Sequence, residues 1–156
     1  FPEGKEKTDG YLYQPANISA HNNLVYISDI GACKVHMYDS EMKHLASFGE
    51  VGKGYGQFTR PKGICADNEG NIYVVDAAFE NVQIFDQTGA LLLYFGGTYN
   101  GPGGMWLPAD VTIDYENLEL FSDFVDPDYK LKYLIFVTNQ YGPDKVNVYG
   151  FVDPLK

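Results

Sequence analysis

The stretch that decides the fold is FTRPKGICADNEGNIYVVDAAFENVQIFDQTGALLLYFG, residues 58–96. It reads as four short strands separated by turn signals. The predicted strands are Gly63–Asp67, Asn71–Asp76, Val82–Asp86 and Ala90–Phe95. Tyr73, Val74, Val75, Val82, Ile84 and Phe85 are the aromatic and β-branched residues that pack well on a pleated surface. The turns Asn68-Glu69-Gly70 and Gln87-Thr88-Gly89 each end in glycine, which takes up the positive φ of a tight hairpin turn without steric cost. Four antiparallel strands joined in this way form one blade of a β-propeller.

Working outward, the same positions recur. Tyr26 and Tyr73, Asp29 and Asp76, Val35 and Val82, and Asp39 and Asp86 are each 47 residues apart, as are Phe1, Phe48 and Phe95. Pro15, Pro61 and Pro108 follow at spacings of 46 and 47. A period of roughly 40–50 residues signals radially repeated blades. Blade one is predicted over 15–48, with strands Asn17–Ala20, Leu24–Asp29, Lys34–Asp39 and His44–Phe48; blade two covers 61–95 and blade three 108–151. Residues 1–14, 49–60 and 96–107 are Gly-bearing linkers, and each has an apolar residue three positions before its proline: Leu12, Phe58 and Met105. These are expected to plug the gap between neighbouring blades, as large apolar side chains do in cores.

The second repeat closely resembles the NHL repeat. The residues that carry the likeness are Gly56-Gln57-Phe58, Pro61-Lys62-Gly63-Ile64, Asp67, Gly70 to Asp76, Asn81 to Asp86, Gly89 and Phe95-Gly96. The resemblance implies an all-β, NHL-type propeller of four-stranded antiparallel blades, three of them here. Blade three has no fourth strand before Lys156. Three blades do not close a ring, since closed propellers have roughly four to eight. Phe1 sits at the repeat position that ends a fourth strand, so the chain reads as the C-terminal half of a six-bladed propeller. The N-terminal half would supply the missing strand. The other option is that a second copy completes the ring.

Blade three departs from the pattern. From Asp114 to Ile135 is 21 residues, against 5 from Asp67 to Ile72, an insertion of 16 within about 115–133. Leu118, Phe121, Phe124 and Val125 recur at helical spacing and predict a short amphipathic helix that Pro127 stops. Glu116, Glu119, Asp123, Asp126 and Asp128 make its other face acidic. Such a face is either simply solvated or suited to a basic partner, and a long insertion in a compact β domain is a candidate for function.

Net charge is −10, with 11 Lys and Arg against 21 Asp and Glu. That balance opposes the phosphate neutralisation on which nucleic-acid binding depends, so no nucleic-acid partner is expected. No run of apolar residues is long enough for a transmembrane helix. Cys33 and Cys65 form no CxxC or CxxCH, so neither a zinc ribbon nor covalent haem is expected, and the spacing does not decide whether they pair. No P-loop, GxSxG or HExxH occurs.

Two sets of repeat-equivalent positions could carry function. His21, Asp67 and Asp114 end the first strands, near the axis, and together could hold a divalent cation; alternatively they are turn residues. Asp29 and Asp76 close the second strands and are expected to accept hydrogen bonds from the backbone amides that follow. Phe79 and Tyr141, on the links after the second strands, are bulky for loops. With Tyr99 and Trp106 on the third linker, and Phe121 and Phe124 in the insertion, they are the candidate partner-binding residues, aromatics being enriched at interfaces.

The stretches from Arg60 to Gly97, from Gly101 to Phe121 and from Tyr133 to Phe151 are similar to one bacterial group. These are exported NHL proteins, often lipoproteins, of bacteria rich in multihaem c-type cytochromes. The resemblance implies a periplasmic, outer-membrane-anchored or extracellular protein. Its role would be that of a non-enzymatic scaffold beside cytochromes, electron-transfer assemblies or a surface filament. The alternative implied by NHL-like propellers is a lyase or lactonase-type hydrolase with an axial divalent metal. Blade one (Ile18 to His21) and Asn139 depart from the repeat pattern.

Overall fold

In a computed structural model, which describes residues 10–155, each repeat folds into its own antiparallel meander. Sheet one holds β1 (Pro15–His21), β2 (Leu24–Asp29), β3 (Lys34–Asp39) and β4 (His44–Phe48) in that order. Sheet two repeats it with β5 (Pro61–Ala66), β6 (Ile72–Asp76), β7 (Asn81–Phe85) and β8 (Leu91–Gly96). Sheet three has β9 (Pro108–Asp114), β10 (Tyr129–Asn139) and β11 (Val146–Pro154), three strands among the described residues. The fold is all-β and propeller-like. The place of Phe1 at the end of a preceding blade lies outside the described residues.

Strand alternation gives each sheet two apolar faces, and the sheets stack on them. Tyr26, Val35 and Met37 of sheet one pack with Ile64, Ile72, Val74 and Phe85 of sheet two. The other face of sheet two, Tyr73, Val75, Val82 and Ile84, packs with Val111, Ile135 and Val137 of sheet three. The two linker plugs described in full behave as expected. Phe58 is fully buried between sheets one and two, and Met105 between sheets two and three. Leu12 is half-buried.

Register makes the repeats superimposable. Ala66 pairs with Ile72 and Ile113 with Ile135, so the insertion of 16 residues falls between β9 and β10. Its helix differs from expectation. Leu118–Phe124 forms a single 3₁₀ helix in which no residue is buried. Seven residues give too few i→i+4 bonds to offset nucleation, so the tighter form wins. β10 is longer than its counterpart β6. It starts at Tyr129, and β11 runs on to Pro154, so Tyr129, Lys130 and Leu131 pair with Pro154, Asp153 and Val152 beyond the end of β9. The blade-one turn, weak by composition, is a sound hairpin turn. Asn22 and Asn23 take φ of 48° and 62°, the two left-handed residues that match strand twist.

Candidate functional site

The inner-strand residues His21, Asp67 and Asp114 are not brought together. Among the described residues no group of three or more His, Cys, Asp or Glu side chains is placed to hold a metal ion. Asp67 is buried and spent on its own turn. It accepts the amides of Glu69 (2.9 Å) and Asn71 (2.8 Å), the Asn71 side-chain amide (2.8 Å), and, at 3.4 Å, the hydroxyls of Tyr73 and Tyr133. Those two hydroxyls also meet each other at 2.6 Å, and burial pushes both phenols well above the usual range. Asp114 caps the start of the insertion by accepting the Asn117 side-chain amide and the backbone amides of Asn117 (2.9 Å) and Glu116 (2.6 Å), bonds that hold its carboxyl below the ordinary value. His21 has a buried Nε2 without a hydrogen-bond partner.

The residues that close the second strands do what was expected and more. Asp76 Oδ1 accepts the following amides of Ala78 (2.9 Å) and Phe79 (3.1 Å). Its Oδ2 reaches back to the preceding linker, accepting Thr59 at 2.7 Å, and the two oxygens share the Arg60 amide at 3.2 and 3.3 Å. Asp29 does the same with Ala32 ahead of it and with Tyr13 and Gln14 behind. Asn139 takes this place in sheet three, accepting from Trp106 N at 3.1 Å and donating to the Asp144 carbonyl at 3.0 Å. A second set, which sequence reasoning missed, clamps the linkers from the third strands. Gln83 holds Gly56 N (3.0 Å) and the Gln57 carbonyl (2.9 Å), and Asn147 holds the Gly104 carbonyl (2.6 Å). The repeat gave no signal for it, since the equivalent positions carry His36, Gln83 and Asn147, and His36 meets Ser47 instead of a linker.

These clamps arrange the aromatics predicted to bind a partner. Phe79 is half-buried, its amide held by Asp76. Next to it, Glu80 accepts the Leu107 amide at 2.9 Å and the Thr98 hydroxyl. Trp106 follows on the same linker, and its carbonyl accepts the Tyr141 amide at 3.2 Å. Gly142 packs on the indole so tightly that a Cβ there would lie 2.4 Å from the ring. Tyr141 is 65% exposed. Phe79, Trp106 and Tyr141 therefore share one rim, where β9 begins, whereas Tyr99 lies earlier on the linker beside Gly103, its hydroxyl donating to the Pro102 carbonyl at 3.3 Å. Phe121 and Phe124 belong elsewhere, on the insertion that follows the other end of β9. There Phe121 stands edge-on to Phe136 at 6.0 Å, and Phe124 is 85% exposed.

Close to the axis, the inner strands are near enough for Asn17 Nδ2 to reach Asp110 Oδ1 at 3.2 Å across Gly63. A hollow of about 370 Å³ beside them is lined by Gln14, Asn17, Lys62 and Gln140. Burial, then the Arg60 charge, hold the Lys62 ammonium below its ordinary pKa. Cys33 and Cys65 are both unpaired thiols.

Residues 58–85 match the model of the NHL repeat. Among curated proteins the chain is 44% identical to Protein lin-41 of Caenorhabditis elegans over 45 residues, which is 29% of this chain and 4% of that one. Among solved structures it is similar to hydrazine synthase of Kuenenia stuttgartiensis, at 18% identity and a TM-score of 0.56, covering 89% of this chain and 32% of that one. It is likewise similar to virginiamycin B lyase of Staphylococcus aureus, at 13% identity and a TM-score of 0.53, covering 88% and 41%. At those identities the likeness establishes the fold and not the chemistry. The chain thus spans less than half the length of each of these proteins.

Proposed function

We propose that this chain is part of a non-enzymatic scaffold whose propeller rim binds a protein partner. The observation that carries this reading is the aromatic set Phe79, Trp106 and Tyr141. Its backbone is pinned by Asp76, Glu80 and Asn139, while Tyr141 stands 65% exposed. Aromatics held in place before binding lose little freedom on contact and make good anchors. The net charge of −10 weighs against a nucleic-acid partner.

The finer reading is a scaffold of the cell envelope or exterior, acting beside c-type cytochromes or a surface filament. Its support is the sequence resemblance described above. A ring larger than three blades is supported by register, and its count of six by the resemblance alone. Val82 and Ile84, buried by sheet three, correspond to Val146 and Val148 of sheet three, which are 53% and 37% exposed. An apolar face of that kind suits one more sheet.

The test is a photo-crosslinking residue placed at Tyr141, and separately at Leu45 on the outer strand β4, in the full-length protein in its native cells. Crosslinks to a protein from position 141, lost when Phe79 is changed to Ala, are the expected result. Equal labelling from both positions, or none from 141, overturns the reading.

A further inference from the structure

The insertion builds a second surface, independent of the rim. The hairpin β10–β11 continues four residue pairs past the end of β9, and the 3₁₀ helix lies against that extension. Between them runs an open groove of about 380 Å³, walled by Phe121, Phe124, Tyr129, Leu131, Val148 and Val152. Leu134, fully buried, forms its floor. A shallower hollow of about 340 Å³ continues it past Val125 to Leu118 and Glu119. Phe124 and Leu120 on the helix are 85% and 72% exposed, a costly arrangement for side chains with nothing to cover them.

The insertion's charge has one sign. Residues 114–128 carry six carboxylates and no Lys or Arg. Among the described residues Glu116, Glu119, Asp123, Asp126 and Asp128 take part in no salt bridge. An apolar trough with an unneutralised acidic border is complementary to an apolar segment flanked by lysine or arginine. A further blade on sheet three would stack on Phe136, Val146 and Val148. The Tyr129–Leu131 and Val152 part of the groove lies beyond β9 and so beyond that stacking area.

We infer that this groove docks a short amphipathic basic segment of a partner protein, with apolar side chains between Phe124 and Val152 and cations over Glu119, Asp123 and Asp126. Binding is tested by fluorescence anisotropy on the full-length protein. The probe is a labelled peptide of leucine and lysine at helical spacing, and the control is its leucine–glutamate counterpart. The lysine peptide binds and the glutamate peptide does not. Phe124→Ser weakens binding about tenfold or more, as loss of one aromatic anchor does. Glu119→Gln with Asp123→Asn and Asp126→Asn removes most of the salt dependence. Phe124 is exposed, so its loss leaves the fold intact by circular dichroism; Tyr129→Ser, at a residue 44% exposed, is the second variant. Unchanged affinity in both variants overturns the inference, as does equal binding of the glutamate peptide. Sedimentation that finds a dimer dissociated by Phe124→Ser also overturns it, because a second copy is then the occupant.

Discussion

Asp76→Asn is the substitution that bears most directly on how the propeller holds its linkers. The side chain is fully buried and its two oxygens receive four backbone amides, two ahead and two behind. An asparagine of the same shape keeps Oδ1 on Ala78 and Phe79. It then turns an NH₂ toward Thr59 N, which stood 2.7 Å from Oδ2, so donor faces donor, and Arg60 N keeps only its 3.2 Å bond to Oδ1. Hydrogen bonds to a charged acceptor contribute about 1.5–3 kcal/mol each, and stranded donors add desolvation, for a total of roughly 3–5 kcal/mol. Typical domains have only about 5–15 kcal/mol in all. Asn139 shows why the same residue is tolerated elsewhere. Its link to the next strand is one residue longer and supplies the Asp144 carbonyl to take the extra donor. In urea the midpoint of Asp76→Asn falls by about 2 M with an unchanged m value near 2 kcal/mol/M. A drop below about 0.5 M would refute the clamp as a stabilising device.

His36 has its pKa lowered by burial, which outweighs the Asp29 carboxylate 3.9 Å from Nε2; His44 and Lys34 lower it further. The folded state therefore binds fewer protons than the unfolded one, whose value is 6.5. Stability is held above that pH and lost as pH falls below it, and urea midpoints at pH 7.5 and 5.5 measure the slope. His36→Gln, which installs the residue found at the equivalent Gln83, flattens that slope; an unchanged slope places the titrating group elsewhere. Gly142→Ala drives a methyl into Trp106 at a φ of +80°, costing about 1–3 kcal/mol. Because Trp106 is the sole tryptophan, its emission shifts with the change, and an unshifted spectrum counts against the packing described. Phe58→Ala empties the plug between sheets one and two and lowers stability by about 3–5 kcal/mol in denaturant titration. A cost under about 1 kcal/mol means the linker collapses into the gap.

The stacking of the sheets was legible because period two and period 47 act on the same residues. Ile72 and Val74 face one way, Tyr73 and Val75 the other, and the copies fix what each face meets. The plugs Phe58 and Met105 were readable for the same reason. The axial trio was not, because equivalent positions in a repeat share a height along the axis and not a point. Each of the two carboxylates is satisfied within a few residues of itself. The insertion was visible by counting, but its form was not. Helical spacing in Leu118, Phe121 and Phe124 says which side is apolar, and carries no information on the neighbouring hairpin that lengthens to meet it.

The rim and the joints between sheets are one mechanical unit. Trp106 and Leu107 belong to the linker that joins sheets two and three. Their amides are held by Asn139 of sheet three and by Glu80 of sheet two. A partner that grips the indole or Tyr141 therefore pulls on hydrogen bonds from both sheets at once. The insertion groove differs in this respect, since its walls are all from sheet three and its own extension. Occupying the rim should stiffen the stack, whereas occupying the groove leaves the joint between sheets two and three untouched. If both proposed surfaces are occupied, their different supports let two partners bind without one displacing or weakening the other, as the proposed scaffold role requires.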